Sequence, residues 1–167
     1  MKKIVELPLT KEKIDNLQIG ELVYLSGEIY SARDIAHKRI ANLIERGDRL
    51  PFDTKNQTIY YCGPIFSKDN PDIPTSFGPT TSKRMDPFTE HLLKVGVLGL
   101  IGKGERSVEV SEKIKAYGCV YFAAIGGCGA LYAQCVVSSS PVAFPELGCE
   151  MIRKFVIDKM PVFVAIK

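Results

Sequence analysis

The sequence lacks any long apolar run. Its longest uninterrupted apolar stretch, Cys119 to Ile125, is far shorter than the roughly 20 residues that a membrane-spanning helix requires. The segment after Lys2 and Lys3 also lacks the continuous apolar core of a secretory signal, because Glu6 and Pro8 interrupt it. The sequence therefore predicts a cytoplasmic protein with no membrane segment.

The sequence also lacks a large excess of either positive or negative charge. The 22 Lys and Arg residues against 19 Asp and Glu leave a formal net charge of only +3. A nucleic-acid-binding surface or a disordered acidic tail would show a much larger imbalance. The 167 residues, 46% of them hydrophobic, instead predict one globular domain over 1–167 with a single core and no nucleic-acid partner.

The ligand pattern of a metal site is also missing. The chain has five cysteines, no C-x-x-C pair and only two histidines, His37 and His91. This spacing does not suit zinc or a cluster, so we expect free thiols in a reducing compartment and no metal ligand here. There is no G-x-S-x-G elbow, and both histidines fall within helical patterns, so a packing or surface role is expected for each.

The periodicity of apolar residues predicts an α/β fold. Apolar runs at 4–9 and 22–25 favour early strands. A helix of about four turns is expected from a capping-box-like start, Ser31 and Asp34, to a stop at Gly47, with Arg33 in its first turn. The run from 66 to 84 is rich in proline, glycine and hydroxyl residues, which predicts a long loop.

A βαβ unit is expected in the second half of the chain. Val97–Ile101 and Cys119–Ala124 are apolar runs typical of buried strands, and 107–117 has helical spacing that ends at Gly118. Such a unit joins two parallel strands by a right-handed crossover. The tail is expected to form two short β runs, 155–157 and 162–166.

Three loops carry groups that suit an anionic ligand. Residues 76–84 combine several hydroxyls with two cations, and Gly102-Lys103-Gly104 places a lysine at the end of a strand. A glycine-rich loop at 126–129 follows the next strand, where backbone can approach a ligand closely. Each loop alone is equally typical of an ordinary turn. The glycine spacings match neither a phosphate loop nor a dinucleotide fingerprint, so no nucleotide site is expected.

Taken in order, a set of motifs resembles the β subunit, or C-terminal domain, of class I (iron-sulfur) fumarate hydratases and L-tartrate dehydratases. The resemblance extends from about residue 20 to the end of the chain. The stretches that carry it are S-A-R-D-I-A-H-K-R at 31–39, Y-Y-C-G-P at 60–64, G-P-T-T-S-K-R-M-D at 78–86, G-K-G at 102–104, G-G-C-G-A at 126–130 and F-P-E-L-G at 144–148.

This resemblance implies a fold, an activity and a partner. The implied fold is a swivelling β/β/α three-layer domain with a mostly parallel central sheet and a second small sheet. The implied activity is that of a hydro-lyase, the reversible hydration of fumarate to (S)-malate, a reaction of the tricarboxylic acid cycle. A partner α subunit would hold a [4Fe-4S] cluster in an αβ or α2β2 assembly. The alternatives are an L(+)-tartrate dehydratase β subunit, and a non-catalytic anion-binding or assembly domain of the same fold.

The resemblance also implies roles for particular residues. Arg33 and Arg84 would grip substrate carboxylates with their planar guanidinium groups, and Lys103 would add a point charge. Thr80 corresponds to the proposed catalytic base. Because a neutral hydroxyl is a poor base, this role requires activation by nearby cations or by an acidic group of the partner; otherwise Thr80 would donate a hydrogen bond to the substrate. Further substrate contacts are implied for Thr81, Gly102 and Gly127.

Overall fold

The computed structural model describes residues 2–167. Within that range the strands are β1 (Ile4–Glu6), β2 (Leu22–Ser31), β3 (Thr58–Tyr60), β4 (Ile65–Ser67), β5 (Asn70–Ser76), β6 (Gly99–Gly102), β7 (Val120–Ala123), β8 (Val136–Ala143) and β9 (Ile152–Ile166). The α-helices are α1 (Lys11–Asp15), α2 (Asp34–Arg46), α3 (Asp86–Lys94), α4 (Val108–Ala116) and α5 (Gly129–Ala133). Short 3-10 segments cover Ser82–Met85 and Pro145–Glu150.

The main sheet is mixed, and part of it closes on itself. Its order is β1-β2-β3-β6-β7-β9-β8, and β2 pairs with β9 as well. The pairings from β1 through β7 are parallel, whereas β9 runs antiparallel to β2, β7 and β8. Strands β2, β3, β6, β7 and β9 therefore form a barrel-like ring. The α/β class and the second small sheet, β4 with β5, agree with the sequence, but the expectation of a mostly parallel central sheet was too simple.

Strand β9 causes this difference. The tail was expected to form two short runs, but residues 152–166 form one strand that is long enough to reach three neighbours. Lys159 adopts a left-handed φ of 51°, and the register with β2 shifts nearby, between Leu25 and Gly27. Such a bulge bends a strand and increases its twist. The bend allows β9 to bridge β2 and β7.

The stretch that was predicted as a long loop contains a hairpin. Strand β5 pairs antiparallel with β4, although it includes Pro71 and Pro74. Proline is tolerated there because a two-stranded sheet consists only of edges. The turn is stabilised by Asn70, whose side-chain oxygen accepts from the backbone N–H groups of Asp72 and Ile73 at 3.3 and 3.1 Å. The expectation of an irregular loop from 66 to 84 was therefore wrong for its first half.

The helices form largely as the sequence predicts. Helix α2 ends at Gly47, which takes the left-handed conformation with φ 70°, and Ser107 caps α4 by accepting from the N–H of Val110. The capping box at the start of α2 was wrong. Ser31 is the last residue of β2, and the cap position belongs to Arg33, which makes no side-chain capping bond. The Asp34 carboxylate binds Arg84 instead.

The arrangement of the parallel strands places the loops of interest at one edge. The carboxyl ends of β2, β3, β6 and β7 lie side by side, since these strands are parallel neighbours. Ligands of α/β sheets usually bind at this edge. The expected βαβ unit of β6, α4 and β7 is present. No helix within residues 2–167 is both long and apolar enough to cross a membrane.

Candidate functional site

Arg33 follows β2 and lies across the end of β3. Its guanidinium covers Gly63 so closely that a Cβ atom there would come within 2.6 Å of Nη1 and 2.9 Å of Cδ. A side chain at position 63 would therefore displace the arginine. The Nε of Arg33 is buried, and it has no hydrogen-bond partner within the described residues. Packing against Gly63 therefore places the Arg33 guanidinium at the end of β3.

Arg84 is held by a carboxylate that the sequence reasoning did not identify. Its Nε and Nη2 groups donate to the two oxygens of Asp34 at 2.9 and 2.6 Å, and the Arg84 side chain is 52% exposed. Asp34 also lies 3.9 Å from Nε of Arg33. The two arginines that were expected to bind substrate thus meet at one carboxylate. The signal that could have indicated this is the Arg-Asp pair at the start of α2, which was interpreted as part of a cap.

Thr80 is fixed by backbone bonds between two strand ends. Its N–H donates to the carbonyl of Tyr61 at 2.6 Å, and its carbonyl accepts from the N–H of Lys103 at 3.3 Å. The neighbouring residues continue this pattern, since Pro79 bridges to Cys62 and Thr81 to Lys103. The loop therefore lies between the ends of β3 and β6 like an extra strand. Thr80 is half-buried and Thr81 is exposed.

The Lys103 side chain extends towards the glycine-rich loop after β7. A Cβ atom on Gly126 would lie 3.4 Å from Cδ and 3.8 Å from Nζ of Lys103, so the ammonium group lies beside this loop. Gly127 is exposed, with a left-handed φ of 80°. Gly102 is buried, and a Cβ atom there would overlap the Ser82 hydroxyl. Its missing side chain makes room for the loop that carries Thr80.

All the residues expected at the site lie at one edge of the sheet. Arg33 contacts Gly63. The residue before Gly63, Cys62, forms a β-bridge with Pro79 in the Thr80 loop, and Thr80 accepts a backbone hydrogen bond from Lys103. The two arginines and the lysine have one close carboxylate among them, that of Asp34. The arrangement carries a net positive charge and offers planar donors together with a point charge. It can therefore bind an anion with more than one carboxylate.

His37 lies behind the site and has a packing role, as expected. Its side chain is 1% exposed, Nδ1 donates to the carbonyl of Arg33 at 2.8 Å, and the ring packs edge-on against Tyr61. Burial lowers its pKa to about 4, and the charge of Arg106 acts in the same direction. The imidazole is therefore neutral at physiological pH. The other histidine, His91, pairs with Glu45 near the surface.

A buried arginine below the site was missed by the sequence reasoning. The Arg106 side chain is 0% exposed, and it binds Asp86, Tyr61 and Thr89. Arg106 lies between Lys103 and the start of α4, and no sequence motif there indicates a buried arginine. Tyr121 belongs to the same cluster, and burial raises its pKa to about 12.

The donors of this chain do not fit an iron-sulfur cluster. All five cysteines are free, and no three His, Cys, Asp or Glu side chains within residues 2–167 come together as a metal-binding group. Cluster ligands are thiolates. Burial raises the pKa of Cys119 to about 11 and also raises that of Cys62, which keeps both as thiols.

Comparison with known proteins identifies the family of the chain. The model of the family described as "Fumarase C-terminus" matches residues 2–167. A Methanocaldococcus jannaschii protein, provisionally named an L(+)-tartrate dehydratase subunit beta, is 42% identical over 143 residues, which cover 84% of this chain and 73% of the relative. Identity is 36% over 156 residues with the aerobic class I fumarate hydratase of Escherichia coli K12, and 34% over 158 residues with fumarate hydratase 2 of Leishmania major.

The coverage differs between these relatives. The matches take in 92% and 93% of this chain but only 28% of each of the two hydratases. The chain thus corresponds to one segment of those longer proteins, and to most of the Methanocaldococcus protein. Since the family model matches the entire range from residue 2 to residue 167, the chain belongs to the fumarase C-terminus family.

Proposed function

We propose that this chain is the β subunit of a cytoplasmic iron-sulfur hydro-lyase that converts fumarate reversibly to (S)-malate. It would supply the dicarboxylate-binding and proton-transfer groups of a site shared with an α subunit. The observation that carries the proposal is that Arg33, Thr80, Arg84 and Lys103 all lie at the carboxyl edge of the parallel strands. These groups come from separate parts of the sequence, yet the fold brings them to one edge.

The chemistry of the reaction suits these groups. In the dehydration direction a proton leaves the carbon next to a carboxylate, and negative charge develops on that carboxylate. The hydroxyl group then departs from the neighbouring carbon, where the cluster of the α subunit would supply a Lewis acid. Preorganised cations stabilise such charge. Arg84 is already oriented by Asp34, and the Arg33 guanidinium lies over Gly63 at the same edge. Thr80 would accept the proton as an alkoxide stabilised by the Lys103 ammonium on the adjoining strand end, or would hold the substrate through its hydroxyl.

The edge that carries these groups is open, which supports a companion chain. Exposed apolar side chains lie in the segments that carry it: Ile35 is 45% exposed, Ile65 59%, Ile125 48% and Leu131 55%. Each lies within two residues of Arg33, Gly63, Gly126 or Gly129 in the sequence. Exposed apolar side chains near a site are typical of protein interfaces. Because the thiols of this chain do not fit a cluster, we place the [4Fe-4S] cluster on the α subunit of an αβ or α2β2 assembly.

A second candidate substrate is L(+)-tartrate. It is favoured by the Methanocaldococcus relative, 73% of which is matched by this chain and which is itself named as a separate β subunit. Fumarate and tartrate are both four-carbon dicarboxylates, so the same cations suit either. Assay of both substrates decides between them.

The proposal is tested by anaerobic reconstitution with an α subunit. We expect hydro-lyase activity from the reconstituted pair and none from this chain alone. Replacing Lys103 by Met should lower kcat/KM by about 10- to 100-fold, since a charge-assisted contact contributes roughly 1.5 to 3 kcal/mol. Lys115→Met is a matched control, because Lys115 pairs with Glu112 on the exposed face of α4.

Three results would count against these assignments. Turnover by the isolated chain at a rate comparable with that of the pair would refute the shared site. Full activity of Lys103→Met in the pair would show that Lys103 has another role. Binding of dicarboxylates that depends on Lys103, with no turnover of either substrate by the pair, would favour the anion-binding domain instead.

A further inference from the structure

We propose that Arg106 is a positioning residue, one that sets Thr80 and Lys103 in place relative to each other. The inference rests on the proposed function, because it concerns the same site. Arg106 is a cation with no solvent-exposed side-chain surface, and it lies beneath the loops that carry the candidate catalytic groups. None of its contacts reaches the open edge, so we assign it no contact with the substrate.

The guanidinium of Arg106 is bound on all sides. Its Nε donates to Asp86 at 2.6 Å, Nη1 to the phenol oxygen of Tyr61 at 3.0 Å, and Nη2 to the hydroxyl of Thr89 at 2.5 Å. It also lies 5.3 and 5.2 Å from the ring centroids of Tyr61 and Tyr121. These directional contacts fix the orientation of the group, which a simple point charge would not require.

One contact leads to Thr80. Tyr61 binds Arg106 through its phenol oxygen, and its main-chain carbonyl accepts from the N–H of Thr80 at 2.6 Å. The N–H of Tyr61 donates to Ile101 at the end of β6, so the residue spans the two strand ends. A shift of the Tyr61 side chain would therefore move the backbone that holds Thr80.

A second set of contacts leads to Lys103. Arg106 lies three residues after it, on the same loop, and Asp86 holds that loop by accepting from Arg106 with one oxygen and from the N–H of Ser107, at 2.8 Å, with the other. The Tyr121 hydroxyl donates to the carbonyl of Gly104 at 2.7 Å, which fixes the loop at a further point. Arg106 thus adds a buried side-chain link between the Thr80 support and the Lys103 loop, beside the direct backbone bond from the N–H of Lys103 to the carbonyl of Thr80.

The energetics favour a role in geometry. Burying a charge is unfavourable, and a well-packed apolar residue of similar volume is often at least as stabilising. An arginine in this place contributes what an apolar residue lacks, which is fixed donors to two loops. Displacements of about 1 Å in a catalytic group can reduce a rate about 100-fold.

The test uses variants that loosen this link. Tyr61→Phe removes only the phenol oxygen that accepts from Arg106, and Arg106→Lys keeps the charge but loses the planar donors. Thr54→Val is the matched control. It removes another buried hydrogen bond, from Thr54 to the carbonyl of Val95 at 2.7 Å, in the loop that precedes β3 at the opposite edge of the sheet.

Two readouts are needed. In the reconstituted enzyme, Tyr61→Phe should lower kcat by about tenfold or more and change KM less than about threefold, because Asp34 and not Arg106 holds Arg84. Arg106→Lys should lower kcat further, and Thr54→Val should leave both constants unchanged. In the isolated chain, the amides of Thr80 and Lys103 should exchange hydrogen at least about tenfold faster in Tyr61→Phe than in Thr54→Val.

The outcomes separate the two proposals. Equal kcat and equal amide exchange in Tyr61→Phe and Thr54→Val would overturn the positioning role of Arg106, whether or not Arg106→Lys folds. A rise in KM with unchanged kcat would overturn it too. If the wild-type pair converts neither fumarate nor tartrate, the proposed function fails, and amide exchange still decides whether Arg106 orders these two residues.

Discussion

Histidine 37 should make the protein sensitive to mild acid. Its pKa lies near 4 in the folded chain, against 6.5 for an ordinary histidine, chiefly because the ring is buried. Between these values the unfolded chain binds a proton at this position and the folded chain does not. The free energy of unfolding therefore decreases as the pH falls below about 6.5, and the decrease ends near pH 4. Above pH 6.5 this contribution is fully present.

The size of the effect follows from the same interval. Each tenfold step in proton affinity corresponds to about 1.4 kcal/mol, so the interval amounts to roughly 3 kcal/mol. Most domains are stable by only about 5 to 15 kcal/mol in total. The groups that face the ring act in both directions: Arg106 lowers its pKa, whereas Asp34 and the carbonyl of Arg33 raise it. The depressed value is therefore the result of burial.

Urea unfolding of the isolated chain at a series of pH values measures this contribution. His37→Asn removes the titrating ring and keeps an N–H donor near the position of Nδ1, opposite the carbonyl of Arg33. Carboxylates titrate in both proteins and cancel in the difference. We expect the wild type to lose roughly 3 kcal/mol relative to the variant between pH 6.5 and pH 4. His91→Gln is the matched control at the other histidine, which pairs with Glu45, and the difference between wild type and His37→Asn should persist when His91→Gln is present in both. Parallel curves for wild type and His37→Asn would refute the reasoning.

Two substitutions at the arginines give further expectations. Gly63→Ala would place a Cβ atom 2.6 Å from Nη1 of Arg33 and displace the guanidinium, so KM for the dicarboxylate should rise about tenfold in steady-state assays. Gly47→Ala is its control: it meets open space at φ 70°, and it should cost about 1 kcal/mol of stability in urea unfolding without changing KM. Asp34→Ala should raise KM several-fold by releasing Arg84, yet lower the free energy of unfolding by no more than about 1 kcal/mol. An unchanged KM in either arginine-site variant would show that the arginine concerned does not bind substrate.

Local sequence signals predicted the elements that carry the site. Gly47 and Gly118 follow the ends of α2 and α4, and the apolar runs at 97–101 and 119–124 indicated neighbouring parallel strands. Each signal depends on residues close together in the chain. Parallel strands bring their carboxyl ends to one edge, so loops that follow them converge. This is why Lys103 and the glycine-rich loop could be expected near each other before the structure was known.

The features that were missed depend on contacts between distant residues. The closure of the ring needs β9 to pair with β2, more than a hundred residues earlier in the chain, and no local pattern encodes that pairing. The sequence alone indicates an exposed loop residue at Arg106, and only the structure shows that Asp86 and Tyr61 bind its guanidinium. The Asp34–Arg84 pair joins residues 50 positions apart. The ordered set of motifs that resembles a known family identified the candidate site residues, but it could not show which side chains contact and orient one another.

The tail of the chain supports the site without adding a group to it. Strand β9 runs antiparallel to the strands that carry the site, so its carboxyl end lies at the opposite edge, and only its beginning, where Arg153 pairs with Ser31, reaches the edge of interest. Just before it, Glu146 accepts a hydrogen bond from Arg39, whose guanidinium lies 5.0 Å from the ring centroid of Phe144. Both contacts brace α2, the helix whose first turn orients Arg33 and Asp34. In the ring, the four parallel strands β2, β3, β6 and β7 thus end at the site, whereas the antiparallel strand β9 begins there and closes the ring.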